Sequence, residues 1–301
     1  MIPINFHHLY YFWITVKAGS ITAAKANLLL SHSALSMQLM QLEKNVGKKL
    51  LYRGHVGVSP TPDGSMVFQY CERMFSQGND LIRKLRAEAG ASLPMRIGSL
   101  HSISDAVNAQ TIGFLQQINK DTRATLAAGA ASEISRKARR SELDLIISDS
   151  DLSDHLDGRF TARHVASIPI CFVASPSLAR RIKRFPHPNQ RISMFFRPIE
   201  NVVRQQVMAY AKLHRLRIKV KGETDNPDIL RLLALRGRCV VTQNLFNIQD
   251  DLERKRLVVL NQRPTGIKKE IWLHFDPSTP QGADIGRRLA HLRFHCKTNA
   301  A

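Results

Sequence analysis

The sequence predicts an α/β protein that begins with an all-α unit, continues into one long helix and ends in a two-lobed α/β unit. Three observations support this prediction. Apolar residues recur at helical spacing between residues 6 and 46, and they do so again between residues 61 and 89. From Met95 onward, short apolar runs alternate with helical patterns, which is typical of βα units and of mostly parallel sheets.

The first predicted helix covers residues 6–18 and has the sequence FHHLYYFWITVKA. Asn5 is a suitable N-cap, and Gly19 is a suitable end. Apolar side chains cover more of this helix than one buried stripe requires. We therefore expect one face to pack on the next two helices and the surplus aromatic residues to contact a partner subunit or the long helix.

Two further helices are predicted between residues 20 and 47, with a break at residues 27–30, and Ser20 and Ser31 are suitable N-caps. A helix with one anchored face and a polar leading turn can read base edges in the major groove. An ordinary amphipathic hairpin has the same spacing. The second helix has such an anchored face, because one apolar stripe is formed by Leu35, Leu39, Leu42 and Val46.

Two short β-like runs follow this helix, at residues 49–53 and 56–59, and Gly54-His55 joins them. They predict a two-stranded wing that lies along the backbone or minor groove of a duplex, beside the preceding helix.

A long helix is predicted from residue 61 to residue 89, which corresponds to about 40 Å at 1.5 Å per residue. Thr61 is its N-cap, Pro62 takes the first helical position and Asp63 suits the positive end of the dipole. We expect a second copy of the chain to cover its apolar stripe, and the alternative is packing on the chain's own C-terminal unit. The stripe has coiled-coil spacing and consists of Val67, Tyr70, Met74, Gly78, Leu81 and Leu85.

The segment SITAAKANLLLSHSALSMQLMQLEKNVGKKLLYR, residues 20–53, resembles the N-terminal winged helix-turn-helix of the LysR-type transcriptional regulators. The length of the chain and the order of its segments extend the resemblance to the whole sequence. Three pieces are similar to the sodium/proton antiporter regulators of that family: HHLYYFW (7–13), LDLIISDS (143–150) and GETD (222–225). The positions in register with the family pattern are Ala23-Ala24, Leu35-Ser36, Leu42-Glu43, Gly47, Leu50 to Arg53 and Thr61 to Gly64.

The resemblance implies a DNA-binding regulator that acts as a dimer or a dimer of dimers. Its partners would be double-stranded promoter DNA and, as a further candidate, RNA polymerase. Val56 and Met37 stand where the family often has arginine, so we expect weaker or more dimer-dependent DNA binding. Base contacts are expected from Ser31, His32, Ser33, Ser36 and Gln38, and phosphate contacts from Lys48, Lys49, Arg53 and His55.

We expect three segments: a winged helix-turn-helix at 1–60, a linker and dimerisation helix with its hinge at 61–90, and an effector-binding unit at 91–301 of the periplasmic-binding-protein type. Lobe I would comprise 91–165 and 268–301, and lobe II 166–267. Strands are expected at 95–99, 123–128, 143–147, 168–174, 191–196, 218–222, 239–242, 257–260 and 271–275. Helices are expected at 105–119, 132–140, 202–214, 228–235 and 283–296.

Ligands of such sheets bind outside the carboxyl ends of the strands, so residues at those ends are candidates for an effector site. Hydroxyls and a helix N-terminus at residues 99–102 would suit an anion such as a carboxylate. Carboxylates would suit a cation, which agrees with the sodium signal that the resemblance implies. Each candidate could instead be a helix cap or a turn. They are Ser99, His101, Ser102, Gly129, Ser148, Asp149, Glu223 and Asp225.

The formal charge of +20 is unevenly distributed: residues 1–60 carry +5, and residues 91–301 carry +15. A basic N-terminal unit fits phosphate contact. The basic residues of the C-terminal unit are scattered, which favours a solubilising surface over DNA wrapping or an anionic effector.

Other features exclude several classes. The four cysteines have no CxxC spacing, so we expect reduced thiols and neither disulfides nor a structural zinc. A secretion signal and a membrane-spanning run are not evident, so we expect a cytoplasmic protein without a cofactor. No GxSxG, P-loop, strand-linked GxGxxG or HExxH occurs, so an enzyme is not expected. A regulator of ion or alkaline stress genes, a regulator of a metabolic operon that responds to a small organic anion, and a solute-binding module remain as alternatives.

Overall fold

The computed structural model describes residues 4–28, 30–54, 57–88, 94–156, 158–182, 184–292 and 294. His55, Val56 and most of the predicted hinge lie outside these residues. The chain divides into two compact units, which are described separately. The first consists of residues 1–91 with 139–142, and the second of residues 92–138 with 143–301.

The N-terminal unit opens with three helices whose caps are those predicted. Helix α1 is Phe6–Ala18, α2 is Ile21–Leu28 and α3 is His32–Val46. The Ser31 hydroxyl oxygen accepts a hydrogen bond from the Ala34 N–H at 3.1 Å, and Gly47 ends α3 with a φ of +72°. Helix α2 includes residues 27 and 28, the first two residues of the predicted break, because Leu28 packs on the core of this unit.

The predicted apolar stripe of α3 is confirmed. Leu35, Leu39 and Leu42 are buried against Phe12 of α1 and Ala24 of α2, and Val46 packs at the margin of the same cluster. The buried row anchors α3 along its length and leaves the opposite face of the helix toward solvent.

The wing consists of strands β1, Leu51–Gly54, and β2, Gly57–Pro60, which pair antiparallel. It is attached to the end of α1, because the Val58 N–H donates to the Gly19 carbonyl at 2.8 Å. Gly57 adopts a φ of +127°, and a Cβ atom there would lie 2.5 Å from the same carbonyl oxygen.

Helix α4 is Pro62–Glu88, and its N-cap Thr61 accepts a hydrogen bond from the Gly64 N–H at 2.9 Å. Trp13 of α1 donates from Nε1 to the buried Glu72 carboxylate at 2.5 Å, which ties α1 to α4. The predicted seam is wrong as a single stripe. Val67 and Met74 pack on the α1 cluster, whereas Tyr70, Leu81 and Leu85 are exposed.

The C-terminal unit begins with a parallel three-stranded arrangement. It contains strands β3 (Met95–Leu100), β4 (Ala124–Gly129) and β5 (Leu145–Ser148), with helices α5 (Asp105–Ile118) and α6 (Ala131–Arg139) between them. Strand β3 lies between β4 and β5. The apolar residues of these strands and of α5 form one core, that of lobe I.

Lobe II follows the order predicted, with two additional helices. Its strands are β6 (Thr161–Ala174), β7 (Arg191–Phe196), β8 (Arg217–Glu223), β9 (Val241–Asn244) and β10 (Val258–Val259). Its helices are α7 (Pro176–Ile182), α8 (Val202–Leu213), α9 (Pro227–Leu235) and α10 (Leu245–Glu253), of which α7 and α10 were not predicted. The chain then forms β11 (Lys268–Phe275) and α11 (Pro280–Arg288), and α11 ends well before the predicted residue 296.

Two long strands connect the lobes. The first half of β6 pairs antiparallel with β11, and its second half pairs with β9 and β10. Strand β11 continues into lobe I, where it pairs antiparallel with β5. The expectation of mostly parallel strands is therefore wrong for β11 and β6, because these two strands cross between the lobes in opposite directions. None of the helices in the described ranges is long and apolar enough to cross a lipid bilayer.

We predict that Gly64→Ala destabilises the N-terminal unit by about 1–3 kcal/mol. A Cβ atom at this position would lie 1.9 Å from the Leu50 carbonyl oxygen. Relief of this clash requires a shift of the backbone of α4 or of the backbone at Leu50. Gly78→Ala in the same helix is the matched control, because no atom lies within 4 Å of its added Cβ. Urea unfolding should show a lower midpoint for the first variant and an equal or higher midpoint for the control. Equal midpoints for both variants would contradict the close approach.

Candidate nucleic-acid interface and interlobe polar cluster

The leading turn of α3 is free within the N-terminal unit. Ser31, His32 and Ser33 are exposed, and Ser36 and Gln38 are half-buried at opposite margins of the exposed face of α3. Met37 is 61% exposed and stands between these polar residues. The three residues of the leading turn are therefore accessible, and the other two predicted base-contacting residues lie at the margins of the same exposed face.

A single carboxylate, Glu43, connects α3 to the wing. Its Oε1 accepts hydrogen bonds from the Leu50 and Leu51 N–H groups at 2.8 and 3.1 Å. Its Oε2 lies 3.3 Å from the Arg53 guanidinium, which also donates to the Ser36 hydroxyl oxygen at 3.2 Å. Arg53 was predicted to contact phosphate, and in the structure its guanidinium is paired with Glu43 and held against α3.

The other predicted phosphate ligands differ in their surroundings. Lys48 and Lys49 are both exposed, and Lys48 Nζ lies 3.7 Å from the Asp63 carboxylate at the start of α4. An exposed pair of this kind is weak and leaves the ammonium available to a phosphate. His55 lies outside the described residues.

Five residues come together where the two lobes meet, three through their side chains and two through backbone carbonyls. The guanidinium of Arg197, which follows β7, donates to the Asp225 carbonyl at 3.2 Å and lies 3.5 Å from the Ser102 carbonyl. Lys269 of β11 donates to the same Ser102 carbonyl and lies 3.4 Å from the Asp149 carboxylate. Arg197 and Lys269 are only 2% and 3% exposed. The cluster therefore buries two cations beside one close carboxylate.

Burial changes the protonation of this cluster. It lowers the pKa of Lys269 to about 7, and the charge of Arg197 acts in the same direction against the opposing effect of Asp149. For Asp149, burial alone would raise the pKa. The charges of Lys269 and Arg197 and a hydrogen bond from Ser102 together outweigh burial and hold that pKa below its ordinary value. Asp149 is therefore ionised at neutral pH, whereas the side chain of Lys269 gains and loses its proton near neutral pH.

The N-terminus of α5 enters the same cluster without a side-chain cap of its own. Ser104 occupies the N-cap position, yet its buried hydroxyl makes no hydrogen bond within the described residues. The Asp105 N–H donates instead to the Asp228 carboxylate of α9 at 3.1 Å. Burial, together with the nearby charge of Asp105, raises the pKa of Asp228. A carboxylate from lobe II thus occupies the positive end of a lobe I helix.

Several predicted effector residues do not join the cluster. The Ser99 hydroxyl is fully buried and donates to the Asn108 side chain at 2.8 Å, and the Ser148 hydroxyl donates to the Ser150 carbonyl at 2.6 Å. Glu223 pairs with Arg204 at 2.5 Å. His101 is exposed, and Gly129 packs against α6 beside Glu133. Of the predicted set, Ser102, Asp149 and the backbone of Asp225 take part.

Three residues of the cluster were missed from the sequence: Arg197, Asp228 and Lys269. Arg197 comes directly after a predicted strand, so the rule that selected the other candidates also applies to it. Lys269 lies on the same face of β11 as the buried Ile271 and Leu273. A lysine on the apolar face of a strand is itself an indication of a buried polar site. Asp228 could not be found, because its partner is more than a hundred residues away.

The cluster places two cationic side chains beside the Asp149 carboxylate. No group of three or more histidine, cysteine, aspartate or glutamate side chains with metal-binding geometry occurs in the described part of the chain. Asp149 and Glu223 each lie against a cationic side chain. By contrast, Arg197 Nε is buried and has no hydrogen-bond partner among the described residues. An unpaired buried donor beside a helix N-terminus suits an anion.

Comparison with known proteins agrees with this division of the chain. Residues 6–65 match the family described as bacterial regulatory helix-turn-helix protein, lysR family, and residues 88–297 match the LysR substrate binding domain. The chain is 31% identical to an HTH-type transcriptional repressor of Pseudomonas aeruginosa, over 94% of this chain and 87% of that protein.

Two more distant matches cover most of the chain. It is 21% identical to the transcriptional activator protein NhaR of Escherichia coli, over 82% of this chain and 81% of that protein. The fold is similar to that of Vibrio fischeri DarR in its complex with DNA, with a TM-score of 0.58 and 15% identity over 96% and 99% of the two chains. The chain belongs to the LysR family of bacterial transcriptional regulators, which are DNA-binding proteins and not enzymes.

Proposed function

We propose that this regulator responds to a small organic anion that binds in the interlobe cluster. The buried guanidinium of Arg197 is the observation that carries this proposal: its Nε has no partner among the described residues, and it contacts the Ser102 carbonyl two residues before the N-cap of α5. A guanidinium offers parallel N–H donors that match a carboxylate, and burial strengthens the pairing. Lys269 and the unpartnered Ser104 hydroxyl add further donors in the same place.

A cation is the alternative effector, and with it control of a sodium/proton antiporter or of ion stress genes. The 21% identity to NhaR of Escherichia coli favours this alternative. The charges of the cluster oppose it, because a sodium ion would have to lie beside Arg197 and Lys269. The anionic effector is therefore the better supported of the two.

We also propose the assembly in which this response acts. The regulator works in the cytoplasm, where chromosomal DNA lies, and α3 enters the major groove while the wing follows the backbone. Two copies pair through the distal part of α4, where Leu81 and Leu85 are 58% and 55% exposed. Two such dimers form a tetramer, and residues 1–60, 61–90 and 91–301 act as the DNA-binding, linker and effector segments.

We predict that His32→Ala and Gln38→Ala weaken binding to a selected operator more than binding to a scrambled duplex. Removal of one base contact reduces discrimination by about 1–3 kcal/mol. Lys49→Ala is the comparison variant, because a phosphate contact contributes equally to both duplexes. Fluorescence anisotropy at matched salt measures both affinities. A uniform loss for all three variants would remove the assignment of direct base readout.

We predict that the double variant Leu81→Lys, Leu85→Lys is monomeric. Two charges on the exposed stripe of α4 would have to be buried in the paired helices, at a cost that a dimer of this size cannot offset. Leu213→Lys is the control, because Leu213 is an exposed leucine of α8. Sedimentation velocity should show a monomer for the double variant and the wild-type species for the control. A double variant that sediments like the wild type would exclude pairing through α4.

We predict that a small carboxylate raises the thermal unfolding midpoint and that Arg197→Met abolishes this rise. A ligand at one hundred times its Kd stabilises the folded state by about 2.7 kcal/mol. Arg204→Met is the control, because Arg204 is already paired with Glu223. Potassium and sodium salts of a carboxylate panel are compared at constant ionic strength by differential scanning fluorimetry.

The same experiment has a pH dependence. Anion binding favours protonated Lys269, so the rise in midpoint should diminish as the pH increases through about 7. A midpoint that follows the sodium concentration and ignores the carboxylate would reject the anionic effector and favour the cation.

A further inference from the structure

Lobe II is the most basic part of the chain. Residues 166–267 contain 19 lysine or arginine residues and 7 aspartate or glutamate residues, a net charge of +12 out of the total of +20. The winged helix-turn-helix, residues 1–60, carries only +5. A charge of this size raises the self-repulsion of a folded lobe, so its distribution on the surface is informative.

Part of this charge is gathered at one end of the lobe II sheet. Strands β7 and β8 run parallel with Arg191 directly opposite Arg217, and Met194 forms a parallel bridge with Val240. The carboxyl ends of these strands lead to the interlobe cluster. Their opposite ends form a surface that we name the basic pole, which consists of Arg191, Arg215, Arg217, Lys219 and Arg238.

The basic pole is not neutralised by the chain itself. All five side chains are exposed, and within the described residues none of them makes an ion pair, a side-chain hydrogen bond or a ring contact. Arg191 and Arg217 stand side by side on one face of the sheet, and like charges in that position are destabilising. Elsewhere in lobe II the pattern differs, because Arg231 and Arg256 both pair with the buried Asp251.

We propose that the basic pole binds backbone phosphates of duplex DNA outside the stretch that α3 and the wing contact. The charge is complementary to a polyanion, and the family's established ligand is a duplex. Once α3 is bound, the remainder of the same duplex is present at a high effective concentration. The contact carries no sequence information, because exposed arginine and lysine side chains on a strand reach phosphates and not base edges.

The test is the salt dependence of binding to two duplexes that share one selected operator. One duplex ends at the operator, and the other extends several helical turns beyond it. The variant Arg191→Gln, Arg217→Gln, Lys219→Gln is compared with Lys120→Gln, Arg123→Gln, Arg163→Gln. The control removes the same charge from exposed residues of lobe I.

On the extended duplex, the slope of log K against log salt should become shallower by about 0.9 for each phosphate that the basic-pole variant no longer binds. It should not change in the control, and neither variant should differ from the wild type on the short duplex. Equal slopes for both variants on the extended duplex would overturn the proposal and favour an acidic protein as the partner. An equal loss on both duplexes would also overturn it. Binding of the short duplex by all three proteins shows that the helix-turn-helix function is intact.

Discussion

The contact on which the DNA-binding surface depends is the clamp that Glu43 makes on the start of the wing. One carboxylate receives two backbone N–H groups of β1 and the guanidinium of Arg53. From the other side, Thr61 donates to the Lys49 carbonyl, and Gly64 lets α4 approach the Leu50 carbonyl. The chain at residues 49–51 is therefore held by α3 and by α4 at once. Because of this, α3, the wing and α4 form one connected body, and in the proposed dimer a change in the pairing of two α4 helices would reorient both α3 helices.

The interlobe cluster joins the chemistry of a ligand to the strands that connect the lobes. Lys269 belongs to β11 itself, and its neighbour Lys268 is opposite Pro169 of β6, where the pairing with lobe II begins. Arg197 comes from lobe II, and Asp149 and Ser102 come from lobe I. A ligand that drew Arg197 and Lys269 together would therefore act on β11, which crosses between the lobes, and on the end of β7 in lobe II. The proposed ligand would thus be coupled to both lobes through a backbone element that runs between them.

The sequence was most informative where structure depends on neighbours along the chain. The caps at Asn5, Ser31 and Thr61 and the leucine row of α3 follow from local hydrogen bonding and helical periodicity, so they could be predicted. The start of β6 could not be predicted from the sequence, because residues 161–167 lack an apolar run and become a strand only through pairing with β11. The cluster was found in part. Ser102 and Asp149 mark strand ends, whereas Asp228 acts through a partner distant in sequence.

The carboxylate of Asp228 at the head of α5 has a consequence for affinity. This contact is a latch, because it places an intramolecular competitor at the helix N-terminus and also holds the two lobes together. The anion proposed above would have to displace it, and its measured dissociation constant would then exceed the intrinsic one by the reciprocal of the fraction of molecules in which the latch is open. The same penalty would apply to every anion, so a weakly bound one would be the first to fail to open the latch.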